Sequence, residues 1–224
     1  MDYLFLSNTL IFNETTPEEV KTMLPCLDAE QKKFKKGEII FREGEKINAM
    51  GLVLSGSVSI ESNDIWGNKS ILDHISKGQV FAETYACVPN EPLMVSVVAA
   101  ENTEVLFLHA DRLLSVCPNS CSHHSKIIRN LLAISSQKNL SLSRRIFHTS
   151  AKSIRGRLLS YLSFQAMRHS SREFSIPFNR QQLADYLSVD RSALSNELSK
   201  MQKEGLIKTE RNHFVLLEEI EYEF

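Results

Sequence analysis

One short stretch of the chain contains side chains that could recognise nucleic-acid bases. Arg191 and Asn196, with Ser192 and Ser195 between them, fall on the polar side of a helical pattern. Arginine can donate two hydrogen bonds to guanine O6 and N7, and asparagine can pair with adenine N6 and N7. The serines could bond a base edge or a phosphate. These four residues are therefore the candidate base-reading residues of a helix that enters a DNA major groove.

Two short helical patterns separated by a break would position these side chains. The first starts at Asn179 and has a glutamine three residues later, as in a capping box. The second has Asp190 as its predicted N-cap and apolar residues at three- and four-residue spacings on its other face. Two such helices around the break 188–190 predict a helix-turn-helix. An ordinary helical hairpin inside a core is the alternative interpretation.

Charge is distributed unevenly along the chain. The whole sequence has 26 basic and 27 acidic residues, a net charge of −1. The segment from His148 to Leu216, however, contains eleven lysines and arginines and six acidic residues, a net charge of +5. A basic segment of this kind is expected where a protein contacts phosphates. Within it, Arg180, Lys200 and Arg211 are the predicted phosphate contacts, and two strands around Arg211 are predicted to form a wing.

The residues before the basic segment follow two other patterns. Six of the eight glycines lie between residues 37 and 78 and separate short β-rich segments, which is typical of an antiparallel roll or barrel. The segment Ser125 to Phe147 lacks glycine and proline and predicts a long helix. Its apolar stripe, interrupted by polar residues, favours a dimer interface over a connecting strut. The stripe consists of Ile128, Leu131, Ser135, Leu142 and Ile146.

The predicted fold class is α+β, with three parts in chain order. Residues 1–120 form an N-terminal antiparallel β-roll for effector sensing, residues 121–148 a long dimerisation helix, and residues 149–224 a C-terminal winged helix-turn-helix. A chain of 224 residues is long enough for two moderate domains with separate cores.

This arrangement resembles the Crp/Fnr family of bacterial transcription regulators over nearly the whole chain. The most specific similarities are residues 36–45, KGEIIFREGE, which resemble the opening of the family's cyclic-nucleotide-binding roll, and residues 179–207, which resemble its DNA reader. The resemblance implies a homodimer with paired long helices, an effector pocket between roll and helix, a palindromic site on double-stranded DNA and a contact with RNA polymerase.

The sequence departs from the family's cyclic-AMP sensors where they hold the cyclic phosphate. Glu83 of their Phe-Gly-Glu opening is present, but Leu93 stands in place of the arginine and Met94 in place of the following hydroxyl residue. Burying a phosphate without a cationic partner is costly, so we expect no useful affinity for cyclic AMP or cyclic GMP. A small apolar or aromatic effector and a pocket filled by its own side chains both remain open. The candidate effector-pocket residues are Glu83, Tyr85, Leu93, Met94, Leu142 and Ser143.

The sequence gives little support for a metal or redox site, a membrane span or a catalytic site. Cys117, Cys121, His123 and His124 could form a metal or redox site, but they lack a paired CxxC motif, so we predict no metal and no cofactor. Four scattered cysteines predict a reducing, cytoplasmic location, and no apolar run is long enough for a membrane span. Because no phosphate loop or catalytic motif is recognisable, we do not expect an enzyme.

Overall fold

The computed structural model describes residues 1–63, 66, 69–114 and 122–217. It divides the chain into two compact units, Met1–Gln137 and Lys138–Phe224. The division falls inside the longest helix, α5 (Ser122–Thr149). The long helix predicted between residues 125 and 147 is therefore present, and it contributes residues to both units. The three-part division proposed from the sequence stays a prediction.

The first unit is an antiparallel β-roll with short helices before and after its strands. Its strands are β1 (Glu30–Phe34), β2 (Ile39–Phe41), β3 (Ala49–Ser55), β4 (Ser57–Asn63), β5 (Lys69–Ser76), β6 (Val80–Phe81), β7 (Ser96–Ala99) and β8 (Thr103–His109). Its helices are α1 (Tyr3–Ser7), α2 (Pro17–Cys26), α3 (Glu83–Cys87), α4 (Ala110–Leu114) and the first half of α5.

The strands form two four-stranded sheets, in the orders β1-β8-β3-β6 and β2-β7-β4-β5, with every pairing antiparallel. Val53 and Val105 of one sheet and Val58 and Val97 of the other belong to the same buried cluster. This burial of both inner faces confirms the predicted roll. Strand β1 was not predicted, because its sequence EQKKF is almost entirely charged or polar and mostly exposed.

The first half of α5 is fixed to α2 and to the segment that precedes it, residues 11–13. The Asn130 side-chain amide donates hydrogen bonds to the carbonyls of Ile11 and Asn13, at 3.1 and 2.8 Å. The Lys126 ammonium lies 3.1 Å from both carboxylate oxygens of Glu19. These contacts orient the apolar side of α5 towards the core of the roll unit.

The apolar stripe predicted on α5 is divided between two environments. Leu131 is buried in the core of the first unit, together with Ile127 and Ile134. Ile128, Leu142 and Ile146 are exposed. The prediction that Leu131 lies on a dimer surface is therefore wrong, because the roll unit itself covers that side chain.

The second unit is built from three helices and a three-stranded antiparallel sheet, in addition to the end of α5. These elements are α6 (Ile154–His169), β9 (Glu173–Ser175), α7 (Arg180–Leu187), α8 (Arg191–Lys203), β10 (Ile207–Glu210) and β11 (His213–Leu216), with sheet order β10-β11-β9. The helices and the hairpin confirm the predicted winged helix-turn-helix. Among the helices of the described residues, none has the length and apolar character needed to cross a membrane.

Candidate nucleic-acid interface

The first helix of the helix-turn-helix begins with the predicted capping box. Asn179 Oδ1 accepts a hydrogen bond from the Gln182 amide at 2.9 Å, and Gln182 Oε1 accepts one from the Asn179 amide at 2.9 Å. Leu183 and Leu187 of α7 are buried in the core of the unit. The helix ends at Ser188, which adopts a left-handed conformation with φ of 54°. This turn redirects the chain into α8.

Helix α8 has one side in the core and one side in solvent. Asp190 caps its start by accepting hydrogen bonds from the Ala193 amide, at 2.9 Å, and from the Ser192 hydroxyl. These bonds lower the pKa of the Asp190 carboxyl, and a charged carboxylate is favourable at a helix N-terminus. Leu194, Leu198 and Met201 are buried. The opposite side of α8 is therefore available to a ligand.

The four candidate base-reading residues differ in how they are engaged. The Ser192 hydroxyl donates to Asp190, and the Ser195 hydroxyl donates to the Arg191 carbonyl at 2.9 Å. Arg191 and Asn196 are exposed, and their side chains have no hydrogen-bond partner in the described part of the chain. The arginine and the asparagine are thus the two groups whose donors are free to bond a base edge.

A residue that the sequence analysis missed holds α8 in place. Arg155, at the start of α6, donates to Glu197 Oε1 at 2.6 Å and to both carboxylate oxygens of Glu204 at 2.7 and 2.9 Å. Hydrogen bonds from Arg155 hold the pKa of Glu204 below its usual range. A two-pronged arginine–carboxylate pair has a defined geometry. Arg155 therefore fixes the rotation of α8 about its own axis.

The three predicted phosphate contacts do not share one environment. Lys200 and Arg211 are exposed, Lys200 on α8 and Arg211 at the tip of the wing. Arg180 is different: its Nη2 donates to Thr209 Oγ1 at 2.7 Å, and its guanidinium lies 5.2 Å from the centre of the Phe214 ring. Burial lowers the pKa of Arg180. The structure therefore corrects the prediction for Arg180, whose guanidinium packs on the wing instead of pointing into solvent.

Two further arginines bind the end of α7. Arg145, from α5, donates to the carbonyls of Tyr186 and Asp185 at 3.1 and 3.0 Å. Arg157, from α6, donates to the carbonyls of Leu187 and Ser188 at 3.0 and 2.9 Å. The last carbonyls of a helix have no partner within the helix, and cations are favourable there. These arginines fix the point at which the chain turns towards α8.

His148 lies in an aromatic cluster in the same unit. Its Nδ1 is 3.0 Å from the Ser160 hydroxyl, while Nε2 is buried with no partner among the described residues. The rings of Tyr161, Phe164 and Tyr186 surround the imidazole at centroid distances of 5.2–6.2 Å. Burial lowers the pKa of His148, and Arg144 lowers it further. The fold therefore favours the neutral imidazole.

Comparison with known proteins identifies both units. Residues 31–120 match the model of the cyclic nucleotide-binding domain, and residues 156–221 match the model of the Crp-like helix-turn-helix domain. The chain belongs to the Crp/Fnr family.

Its relatives in the Crp/Fnr family are transcription regulators. The cyclic AMP receptor protein of Thermus thermophilus is 25% identical, covering 95% of this chain and 96% of the relative. The transcriptional activator protein anr of Pseudomonas aeruginosa is 24% identical, covering 84% and 77% respectively. Among solved structures, CprK complexed with OCPA has a TM-score of 0.59 at 16% identity, covering 90% of this chain and 92% of that one. This chain is a DNA-binding transcription regulator of the Crp/Fnr type, and regulators of this family form dimers.

The candidate effector residues of this Crp/Fnr chain lie in different environments. Glu83, the first residue of α3, is buried, and Tyr85 is half-buried. Leu93 is only 2% exposed, whereas its neighbour Met94 is 71% exposed. Leu93, which the resemblance predicts in place of the family's phosphate-binding arginine, is thus an apolar side chain in the interior. Leu142 and Ser143 are exposed residues of the second unit.

The candidate metal or redox residues are largely outside the part of the chain that the structure describes. Cys117 and Cys121 lie in the segment 115–121, and the side chain of His123 is also outside the described residues. The His124 ring is buried, and its Nδ1 has no partner among the described residues. Within the described ranges, no group of three or more His, Cys, Asp or Glu residues is arranged to hold a metal ion.

The arginine contacts at the end of α7 predict a loss of stability when they are removed. Arg157→Met keeps an apolar stem but leaves the carbonyls of Leu187 and Ser188 without this donor, so we expect the free energy of unfolding to fall by about 1–3 kcal/mol. Urea denaturation with hydrogen exchange of the α7 and α8 amides would measure the loss. Arg191→Met removes an exposed guanidinium from the same unit and should change stability by less than about 0.5 kcal/mol. Equal stability of the two variants would contradict this role for Arg157.

The buried His148 predicts an acid-sensitive second unit. An unfolded histidine has a pKa of about 6.5, and the pKa of His148 in the folded unit is lower. The unfolded state therefore binds more protons, so stability is full above about pH 6.5 and declines as the pH falls below it. Hydrogen exchange of the α6 amides at several pH values would detect the decline. His148→Gln should flatten the profile, and an unchanged slope in His148→Gln would contradict the assignment.

Proposed function

We propose that this protein is an effector-controlled regulator that binds a palindromic DNA site as a homodimer and reads bases with Arg191 and Asn196. The observation that carries the proposal is the outward side of α8. Its two side chains with free donors are the pair suited to guanine and adenine. The helix beneath them is fixed by a buried apolar face, a charged N-cap and Arg155. A rigid support of this kind is what base recognition requires.

The backbone of the DNA would be contacted from positions around the reader helix. Lys200 and Arg211 are exposed and cationic, and phosphate contacts from such residues position a protein without reading sequence. Arg180 is left out of this set because its guanidinium is bound to Thr209 and packs on Phe214. In many family members a glutamate stands at the position of Ser192 and an arginine at that of Asn196. The half-site that those members recognise should therefore not be transferred to this chain.

Exposed apolar side chains on α5 support the homodimer. Ile128 and Leu132 in the first unit and Leu142 and Ile146 in the second are large, apolar and exposed. A helix with such residues buries them in a partner helix more favourably than in water. Two reader helices in a symmetric dimer would lie one DNA turn apart, about 34 Å, so two half-sites at that spacing are expected. Contact with RNA polymerase also stays a prediction.

The effector is proposed to be something other than a cyclic nucleotide. One relative is named a cyclic AMP receptor protein, but this chain has the buried Leu93 where the phosphate-binding arginine of such sensors stands. A leucine provides no hydrogen-bond donor for a charged phosphate. A rival function, a winged helix that binds protein instead of DNA, is opposed by the basic excess between residues 148 and 216. A retardation assay at several salt concentrations would distinguish the two.

The role of Arg191 can be tested on DNA. After selection of the preferred site, Arg191→Ala should lose about 1–3 kcal/mol of binding free energy on that site and relax the preference at one base pair. Lys200→Ala should weaken binding to all sequences and lower the salt slope by about 1. Gln202→Ala, exposed near the far end of α8, is the matched control and should bind normally. The same preferred sequence from Arg191→Ala and wild type would show that Arg191 does not read a base.

The absence of a phosphate-binding cation can be tested by titration. Calorimetry of the full chain with cyclic AMP and cyclic GMP should show no binding in the micromolar range, because Leu93 offers no donor to the phosphate. The Thermus thermophilus cyclic AMP receptor protein, measured with cyclic AMP under the same conditions, provides the positive control. Micromolar binding of either nucleotide by this chain would overturn the proposal.

A further inference from the structure

A cleft of about 140 Å³ lies inside the second unit, separate from the outward side of α8. The end of α5, α6, the segment 177–178 and α7 all contribute to its lining. Aromatic side chains form much of the wall. Phe178 and Tyr186 have ring centroids 5.1 Å apart, and Tyr161 stacks on Phe178 at 6.1 Å. Flat aromatic walls of this kind favour a flat aromatic guest.

Two polar side chains of this lining have no hydrogen-bond partner among the described residues. The Tyr161 hydroxyl is buried without a hydrogen bond, and the Tyr161 side chain is only 2% exposed. Gln165 is 7% exposed as a whole residue, and its amide, unlike the Tyr161 hydroxyl, keeps access to solvent. The Gln165 amide is therefore the polar group of the lining that a polar substituent of a ligand could bond.

The cleft is also positively charged. Arg144 and Arg168 line it, and none of its lining residues is acidic. Arg144 lies over the Phe164 ring, at 5.5 Å from its centre. In the part of the chain that the structure describes, neither arginine forms a salt bridge. Two guanidinium groups without a carboxylate partner at the edge of an aromatic cleft are suited to an anion, which arginine binds in a planar, two-pronged manner.

We infer that this cleft is a binding site for a single-ring aromatic carboxylate. The volume sets the size, since an apolar cavity of about 150 Å³ accommodates one benzene ring. The ring would pack against Phe178 and Tyr186, and the carboxylate would pair with Arg168 or Arg144. A hydroxyl on the ring would reach the Gln165 amide.

The site is tested by calorimetric titration of the full chain with benzoate and 4-hydroxybenzoate. Saturable binding of both is expected, tighter for 4-hydroxybenzoate because its hydroxyl can bond the Gln165 amide. Cyclohexanecarboxylate, which is not flat, and benzamide, which is not charged, should bind more weakly, by about tenfold or more. Absence of saturable binding of either aromatic acid in the millimolar range would overturn the proposal.

Matched variants locate the binding. Arg168→Met removes an exposed guanidinium of the cleft and should weaken both aromatic acids by about tenfold. Gln165→Leu should remove the advantage of 4-hydroxybenzoate over benzoate. Lys208→Met removes an exposed cation of the same unit, on β10 and outside the cleft, and should leave affinity unchanged. Equal weakening by Arg168→Met and Lys208→Met, or no weakening by Arg168→Met, would show that the acids bind elsewhere.

The inference does not depend on DNA binding. Tyr186 belongs to α7, so a bound acid would contact the first helix of the helix-turn-helix directly. Because the titration contains no DNA, its result tests only binding to the cleft. A failure to retard DNA would count against the proposed function and would leave the calorimetric result intact.

Discussion

The carbonyl groups at the end of α7 are bound by Arg145 and Arg157, and the position of the reader helix depends on these contacts. A helix end that lacks partners for its carbonyls frays, and the turn that follows it loses its direction. Here one arginine comes from α5 and the other from α6. Both elements therefore determine where residue 188 turns and where α8 starts. The base recognition proposed for α8 would therefore depend on Arg145 and Arg157 as well as on residues of α8 itself.

Different residues of α8 contribute to the stability of the unit and to the proposed recognition of DNA. The buried leucines and Met201 contribute the free energy that holds the helix to the unit. Glu197 and Glu204, bound to Arg155, add orientation more than stability, since exposed ion pairs contribute little. The side chains of Arg191 and Asn196 contribute little to either, because they are exposed and have no hydrogen-bond partner in the described part of the unit. Replacing such side chains changes the free energy of folding little, so they are free to differ between relatives. One scaffold can in this way bind different DNA sequences.

The features that the sequence predicted are the local ones. The caps at Asn179 and Asp190, the helical periods and the wing depend on residues close together in the chain, and the structure confirms them. Arg155 was missed because its partners lie 42 and 49 residues away. Arg180 was misplaced for the same reason: only the folded wing shows that Phe214 and Thr209 cover its guanidinium. Leu131 fits a helical stripe equally well whether a partner chain or the roll covers it.

Recognition of an anion requires a cation beside its binding site, and the two units differ in this respect. In the roll, the buried Leu93 is the residue that the resemblance predicts in place of the family's arginine, and its side chain supplies no charge. In the second unit, Arg144 and Arg168 stand beside aromatic rings with no carboxylate bound to them in the described residues. The fold of a family thus fixes where strands and helices lie, while individual side chains determine which charged ligands a protein can bind. For this chain, the residues able to bind an aromatic acid lie among the helices of the DNA-binding unit.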